Sequence, residues 1–332
     1  MELTRNFKKL GKNDAGIAGG KGASLGEMTN LRISYGRQAQ AGVPVPPGFV
    51  VLAESFERFL EENEIAADID SILAKVNHQD TNSVDGASAE IQSIILNSPM
   101  PGDIESAILA NFKELDAEFV AVRSSATAED GSSASWAGEL ESYLNTTKEN
   151  LLENVKKCWA SLFTPRAIFY RIEKNMHKDK VSVAVVIQKM IQSEVSGICF
   201  TVHPVTEDRN QMVIEAGYGL GEAIVGGIIT PDNYVIDKKE LVILDKYISE
   251  QDKQIVRKQK AERKKPEEYF NEELPVLVDM REKQKLADDK IIQLSKICLG
   301  IENHYGFPCD IEWAMEEEEL FIVQSRPITT LN

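Results

Sequence analysis

Two alternating stretches near the C-terminal end constrain the fold of this chain more than any other feature. Cys309-Asp310-Ile311-Glu312-Trp313-Ala314-Met315 alternates polar and apolar side chains, and Leu320 to Arg326 follows after an acidic run. A period of two is the signature of a strand with one buried face, so Asp310 and Glu312 share one face and Gln324 and Arg326 share another. The acidic run reads as the turn of a hairpin. A loop of Glu317 to Glu319 pairs Glu312 with Gln324 and Asp310 with Arg326, and gathers all these polar groups on one surface. Ile311, Trp313 and Val323 are then expected on the opposite side. A carboxylate and an amide oxygen at paired positions suit Mg²⁺, which takes one or two carboxylates and completes its shell with substrate phosphate oxygens. Arg326 has donors only and suits phosphate. The same pattern also suits an exposed hairpin face laced by salt bridges.

Upstream, small residues mark further candidate phosphate contacts. Gly19-Gly20-Lys21-Gly22-Ala23-Ser24 opens a helix, and backbone N–H groups at a helix start attract anions. Lys21 adds a point charge. The spacing does not fit a P-loop, because Gly22 directly follows Lys21; a flexible loop before an ordinary helix is the alternative. The buried strand Phe119 to Val122 delivers Arg123-Ser124-Ser125, a cation followed by small hydroxyl residues, and Gly131 to Gly138 continues as a loop able to cover a ligand. Gly217-Tyr218-Gly219-Leu220-Gly221 lacks the third glycine spacing of a dinucleotide fingerprint.

The remaining pattern is mixed. Pro46-Pro47-Gly48 precedes an apolar strand, and a helix follows from Ala53 with Phe56, Phe59 and Leu60 on one face. Asn77 to Ser88 reads as a polar loop. Ile91 to Leu96 and Ile104 to Leu115 read as helices. Thr146 to Glu149 matches a capping box before an apolar helical face containing Val155 and Trp159. Thr164 caps a further helix that begins at Pro165. From Val181 the period changes to that of strands, and Asp288 to His304 returns to an amphipathic helix. The class expected is α+β.

Net charge is −16, with 37 basic against 53 acidic residues. That balance argues against a general nucleic-acid or anionic-membrane binder, both of which need a basic face. A nucleotide site needs only a few local cations. The first ten residues lack an apolar signal core, and no apolar run reaches the roughly 18 residues of a membrane span. Cys158, Cys199, Cys298 and Cys309 have no zinc-like spacing and read as reduced, buried thiols of a cytoplasmic protein.

Taken in order, Gly19–Met28, Pro44–Phe49, Ala121–Asp130, Ser196–Thr206, Glu215–Asp232 and Asp310–Pro327 resemble the N-terminal nucleotide domain of the phosphoenolpyruvate synthases (pyruvate, water dikinases). The rifampicin phosphotransferases share these blocks, and pyruvate, phosphate dikinase resembles them more distantly. The resemblance implies an ATP-grasp fold, two lobes with antiparallel sheets enclosing ATP, here 1–190 and 191–332. It implies that Lys21 and Arg123 bind phosphate, that Gly138 and Ser142 belong to the loop over the phosphates, and that Gln188 to Met190 form the strand beside adenine. It makes Glu312 and Gln324 the Mg²⁺ ligands and Arg326 the arginine at the reacting phosphates. In the complete enzymes the β,γ-diphosphate of ATP passes to a histidine on a carrier domain, and a phosphoryl group then passes to pyruvate. His78, His177, His203 and His304 lack the carrier context, so the carrier is expected in cis or trans outside these residues. A drug acceptor of the rifampicin type, or a non-catalytic ATP-binding regulatory module, are the alternatives.

Overall fold

β-branched runs build two large antiparallel sheets, beside two short strand pairs, and amphipathic helices cover the apolar faces of the large sheets. The computed structural model describes residues 2–33, 41–127, 141–173, 182–258, 271–329 and 331. These fall into two units, Met1–Glu27 with Pro47–Met190, and Met28–Pro46 with Ile191–Asn332.

In the first unit a five-stranded sheet runs in the order Thr4–Asn6, Gly48–Val51, Val183–Lys189, Val120–Ala126, Ser142–Thr146, with every neighbour antiparallel. Alternation divides its residues. Phe49, Val51, Val122, Val185 and Ile187 enter a core with Phe56, Phe59 and Trp159. Trp159 lies 5.6 Å from Phe56 and 4.9 Å from Phe59, ring to ring. Aromatic side chains of this size supply much of the apolar burial that holds helices on a sheet. Registers Ala121↔Gln188, Arg123↔Val186 and Gly48↔Gln188 place Arg123, Gln188 and Ser125 on the other face.

The six-stranded sheet of the second unit runs Val242–Tyr247, Asp232–Asp237, Gln211–Tyr218, Val195–Phe200, Cys309–Glu316, Glu319–Pro327, again antiparallel throughout. The helix Asp288–Tyr305 packs on the strand Cys309–Glu316 and buries Ile291, Leu294, Cys298 and Ile301. Asp232, the first residue of its strand in this sheet, is buried and meets Lys285 Nζ at 3.0 Å, while its oxygens accept from the Tyr234 hydroxyl and the Ser249 and Lys285 backbone N–H groups. A buried pair so fully bonded avoids the cost of an isolated charge.

Three readings of local sequence are corrected. The stretch Asn77 to Ser88 is largely helical, because Asp80 caps a helix Thr81–Asn97 by accepting from the Asn82 N–H. Val84, Ala87 and Ile91 of that helix are buried, and this packing overrides its polar composition. Thr146 to Glu149 is not the capping box. Thr146 ends a strand, and Asn150 occupies the cap position of the helix Leu151–Ala160. Finally, Met28–Pro46 groups with the second unit, not the first. Its strand pair Arg32–Ile33 and Ala41–Gly42 sets Ile33 against Gly300, and the Pro44 carbonyl accepts from the Ile322 N–H. At the start of the helix Pro165–Glu173, the Thr164 hydroxyl does accept from the Ala167 N–H at 3.2 Å.

All four cysteines are free and buried, and burial lifts the Cys158 thiol to about 12. No helix among the described residues is long and apolar enough to cross a membrane.

Candidate functional site

In the first unit a glycine turn seats the segment that carries Lys21 against the strand that carries Arg123. The helical stretch Ala15–Asn30 is broken at Gly19, whose φ of 69° is left-handed. Any side chain there would collide with the Ser125 hydroxyl and carbonyl. Glycine alone permits both the backbone angle and the approach. The helix therefore restarts immediately before Lys21, with its N-terminus against the end of the strand Val120–Ala126. Gly22 N–H donates to Ser125 Oγ at 3.2 Å. Lys21 and Arg123 are both half-buried.

Arg123 is the cross-strand partner of Ser142, which is exposed at the start of its strand. The Ser124 N–H donates to the Glu141 carbonyl at 3.1 Å and so fixes that junction. Gln188 is buried on the same sheet face as Arg123, two positions before Met190. Met190 donates its N–H to the Phe119 carbonyl at 3.0 Å. Lys21, Arg123, Ser142, Gln188 and Met190 thus belong to one unit. Gly138 lies outside the described residues.

The second unit carries the hairpin. Asp310 pairs with Arg326 and Glu312 with Gln324, and all lie on the sheet face opposite buried Ile311 and Trp313. The turn, however, is not the expected one. Glu316 pairs with Glu319, so the loop is Glu317-Glu318, both left-handed with φ of 50° and 64°. The register then shifts between Glu312 and Trp313, where Val323 is the extra residue of a bulge. Without that bulge Ile322, Gln324 and Arg326 would share a face. With it, Ile322 joins Trp313 in the core and Gln324 and Arg326 turn to the polar side. Val323 is half-buried at the bulge rather than a regular member of the apolar face.

Asp310 holds Arg326 at two points, Nε to Oδ2 at 2.9 Å and a second guanidinium nitrogen to Oδ2 at 2.7 Å. Its other oxygen, Oδ1, is buried without a hydrogen-bond partner. Burial raises the Asp310 carboxyl above its ordinary range and Glu312 adds to this, while Arg326 opposes them. Glu215, to which sequence reasoning assigned no role, extends the same face through the register Glu312↔Ile198↔Glu215. Burial raises its carboxyl as well, with a contribution from Asp310. Only cross-strand register makes Glu215 a neighbour; nothing in its local sequence does.

The donor set fits Mg²⁺ better than a metal caged by protein. Among the described residues no group of three His, Cys, Asp or Glu side chains is assembled to hold a metal. Glu312 and Gln324 instead offer one carboxylate and one amide oxygen on adjacent strands, which matches an ion that keeps places for substrate oxygens.

The chain matches the AMP/ATP-binding domain of pyruvate phosphate dikinase over residues 15–332. It is 44% identical to a probable phosphoenolpyruvate synthase of Methanocaldococcus jannaschii, across 100% of this chain and 27% of that protein. A probable phosphoenolpyruvate synthase of Archaeoglobus fulgidus is 45% identical, across 96% of this chain and 41% of that protein. The rifampicin phosphotransferase of Bacillus cereus is 37% identical, across 98% of this chain and 36% of that protein. The chain therefore spans less than half the length of these relatives. A match over nearly all of its residues, joined to mixed helices and antiparallel sheets, makes the chain a member of the pyruvate phosphate dikinase AMP/ATP-binding domain family.

Proposed function

We propose that the chain is the ATP-grasp nucleotide portion of a cytoplasmic dikinase resembling phosphoenolpyruvate synthase, and that it transfers the β,γ-diphosphate of ATP to a histidine on a separate carrier domain. The observation that carries this reading is the hairpin register, which puts Glu312 beside Gln324 and Asp310 beside Arg326 on one polar face. The identities to synthases favour phosphoenolpyruvate synthesis from pyruvate over transfer to a drug, since the rifampicin enzyme covers as much of the chain at lower identity.

In this reading Lys21 and Arg123 hold phosphate oxygens by charge-assisted hydrogen bonds. The strand from Gln188 to Met190 lies along adenine, and Ser142 with Gly138 belongs to the segment over the phosphates. Glu312 and Gln324 hold Mg²⁺, which when bound neutralises charge on the phosphates. Arg326, kept in one orientation by Asp310, donates to the phosphate group that is transferred. Catalysis of phosphoryl transfer rests on such positioning and charge stabilisation.

Glu312→Gln tests the reading, because it removes one negative charge with little change of shape. Transfer to a supplied carrier domain is expected to fall at least a hundredfold, with the circular dichroism spectrum and adenosine binding unchanged. Normal transfer by the variant would remove the metal role of Glu312; absence of transfer by the wild-type chain to any histidine carrier would remove the dikinase reading.

A further inference from the structure

We propose that Ser125 is a positioning residue for the phosphate-binding cations, acting through the backbone of the turn that carries Lys21. This rests on the reading of Lys21 and Arg123 as phosphate ligands and adds the device that holds them together.

Ser125 lies two residues beyond Arg123 on the same strand and is completely buried. By alternation it shares the sheet face of Arg123. Its hydroxyl oxygen accepts the N–H of Gly22, the residue after Lys21, at 3.2 Å. Gly19, two residues before Lys21, lies so close to Ser125 that no β-carbon fits between them. The backbone on both sides of Lys21 is thus seated on this one side chain. A second contact steadies the same helix, since Gly22 also lies against Val50, where an added β-carbon would meet Cγ2 at 3.0 Å.

The Gly22 N–H is one of the donors that an α-helix leaves without an internal partner in its first turn. Ser125 satisfies it from within the protein, so this donor is taken up in fixing the direction of the helix start. The neighbouring N–H groups and the Lys21 side chain keep that direction relative to Arg123. A hydroxyl at this position is required because it is small enough to sit under Gly19 and still offers a lone pair. Alanine has the size without the acceptor, and a larger side chain has no room.

The test is affinity for Mg²⁺-ATP and for adenosine, measured by calorimetry on the full chain in a cycle of Ser125→Ala and Lys21→Ala. Ser125→Ala is expected to weaken ATP about tenfold, the loss that follows when a displaced cation gives up most of one charge-assisted bond to phosphate. Adenosine should change less than twofold. In the Lys21→Ala background the same substitution should cost ATP less than twofold more, because the residue it positions is gone. Equal losses for ATP and adenosine, a full tenfold loss in the Lys21→Ala background, or an unchanged ATP affinity would each overturn the proposal. If Lys21→Ala itself weakens both ligands alike, the phosphate reading of Lys21 fails and the role of Ser125 falls with it. That outcome is distinct from a discriminating Lys21→Ala beside a neutral Ser125→Ala. Should Ser125→Ala fail to fold, Ser125→Gly, which also removes the acceptor and adds no bulk, is read against the same outcomes.

Discussion

Lys21 and Arg123 are half-buried cations that belong to one unit, joined through a glycine turn and a strand end. Each charge-assisted bond to a phosphate is worth about 1.5–3 kcal/mol. Lys21→Ala and Arg123→Ala should therefore weaken ATP by that amount each and adenosine hardly at all, as titration calorimetry with the two ligands would show. Glu215 makes a different prediction, about pH. Burial, and then Asp310, raises its carboxyl above the ordinary range, so the folded protein holds that proton more tightly than the unfolded chain does. Stability from this group is then lost as pH rises from about 4 through the raised folded value. Glu215→Gln removes the effect. The melting temperature of the variant should exceed that of the wild type above this window, and the difference should shrink as pH falls below it. A gap that stays constant with pH would mean that the substitution acts by packing alone.

The hairpin shows how an element can meet a sequence expectation by another route. The pairings Asp310↔Arg326 and Glu312↔Gln324 follow from alternation, yet they are reached through a shorter turn and one bulge. The two changes compensate: the turn is one residue shorter than expected, and Val323 restores the count. Alternation by itself places Ile322 with Gln324, and it was the burial of Ile322 beside Trp313 that required the change of phase. The turn has a cost, because Glu317 and Glu318 both adopt left-handed angles that suit asparagine and glycine. Replacing Glu317-Glu318 by Asn-Gly should stabilise the protein by about 1 kcal/mol, measured by urea denaturation, without altering ATP affinity. A loss of stability would show that the glutamates make contacts that outweigh their backbone strain.

At the scale of the molecule, each unit holds part of the candidate machinery. The first supplies Lys21, Arg123, Ser142, Gln188 and Met190, and the second supplies Glu312, Gln324 and Arg326. In the proposed reading the first set holds the nucleotide and the second holds the metal. The 332-residue chain is therefore expected to bind ATP with useful affinity only when Mg²⁺ is present, and to form no phosphoenolpyruvate from pyruvate unless a histidine-carrier domain and a pyruvate-binding domain are both supplied. Calorimetry with and without Mg²⁺ and a coupled pyruvate assay test the two parts. Turnover by the chain alone would contradict the division of labour proposed here.

Strand alternation, glycine placement and helix periodicity were legible in the sequence because they depend on neighbours a few residues apart. They placed Lys21 at a helix start and the polar groups of the terminal hairpin on a common face. Arg123, expected just past the end of a strand, instead lies in the middle of Val120–Ala126, because pairing with Val183–Lys189 carries the strand on to Ala126. Other features depend on residues far apart in the chain. The seat of Gly19 and Gly22 on Ser125 spans more than a hundred residues. Glu215 reaches the face of Glu312 only through an intervening strand. The helix Thr81–Asn97 hides in polar sequence because its burial comes from tertiary contacts. Met28–Pro46 leaves the unit of its sequence neighbours because Ile33 finds its packing against Gly300. Local pattern determined the type of each strong element and its exposed face; the packing of distant residues decided register, phase and which side chains became neighbours, because burial free energy is settled by the contacts of the folded chain.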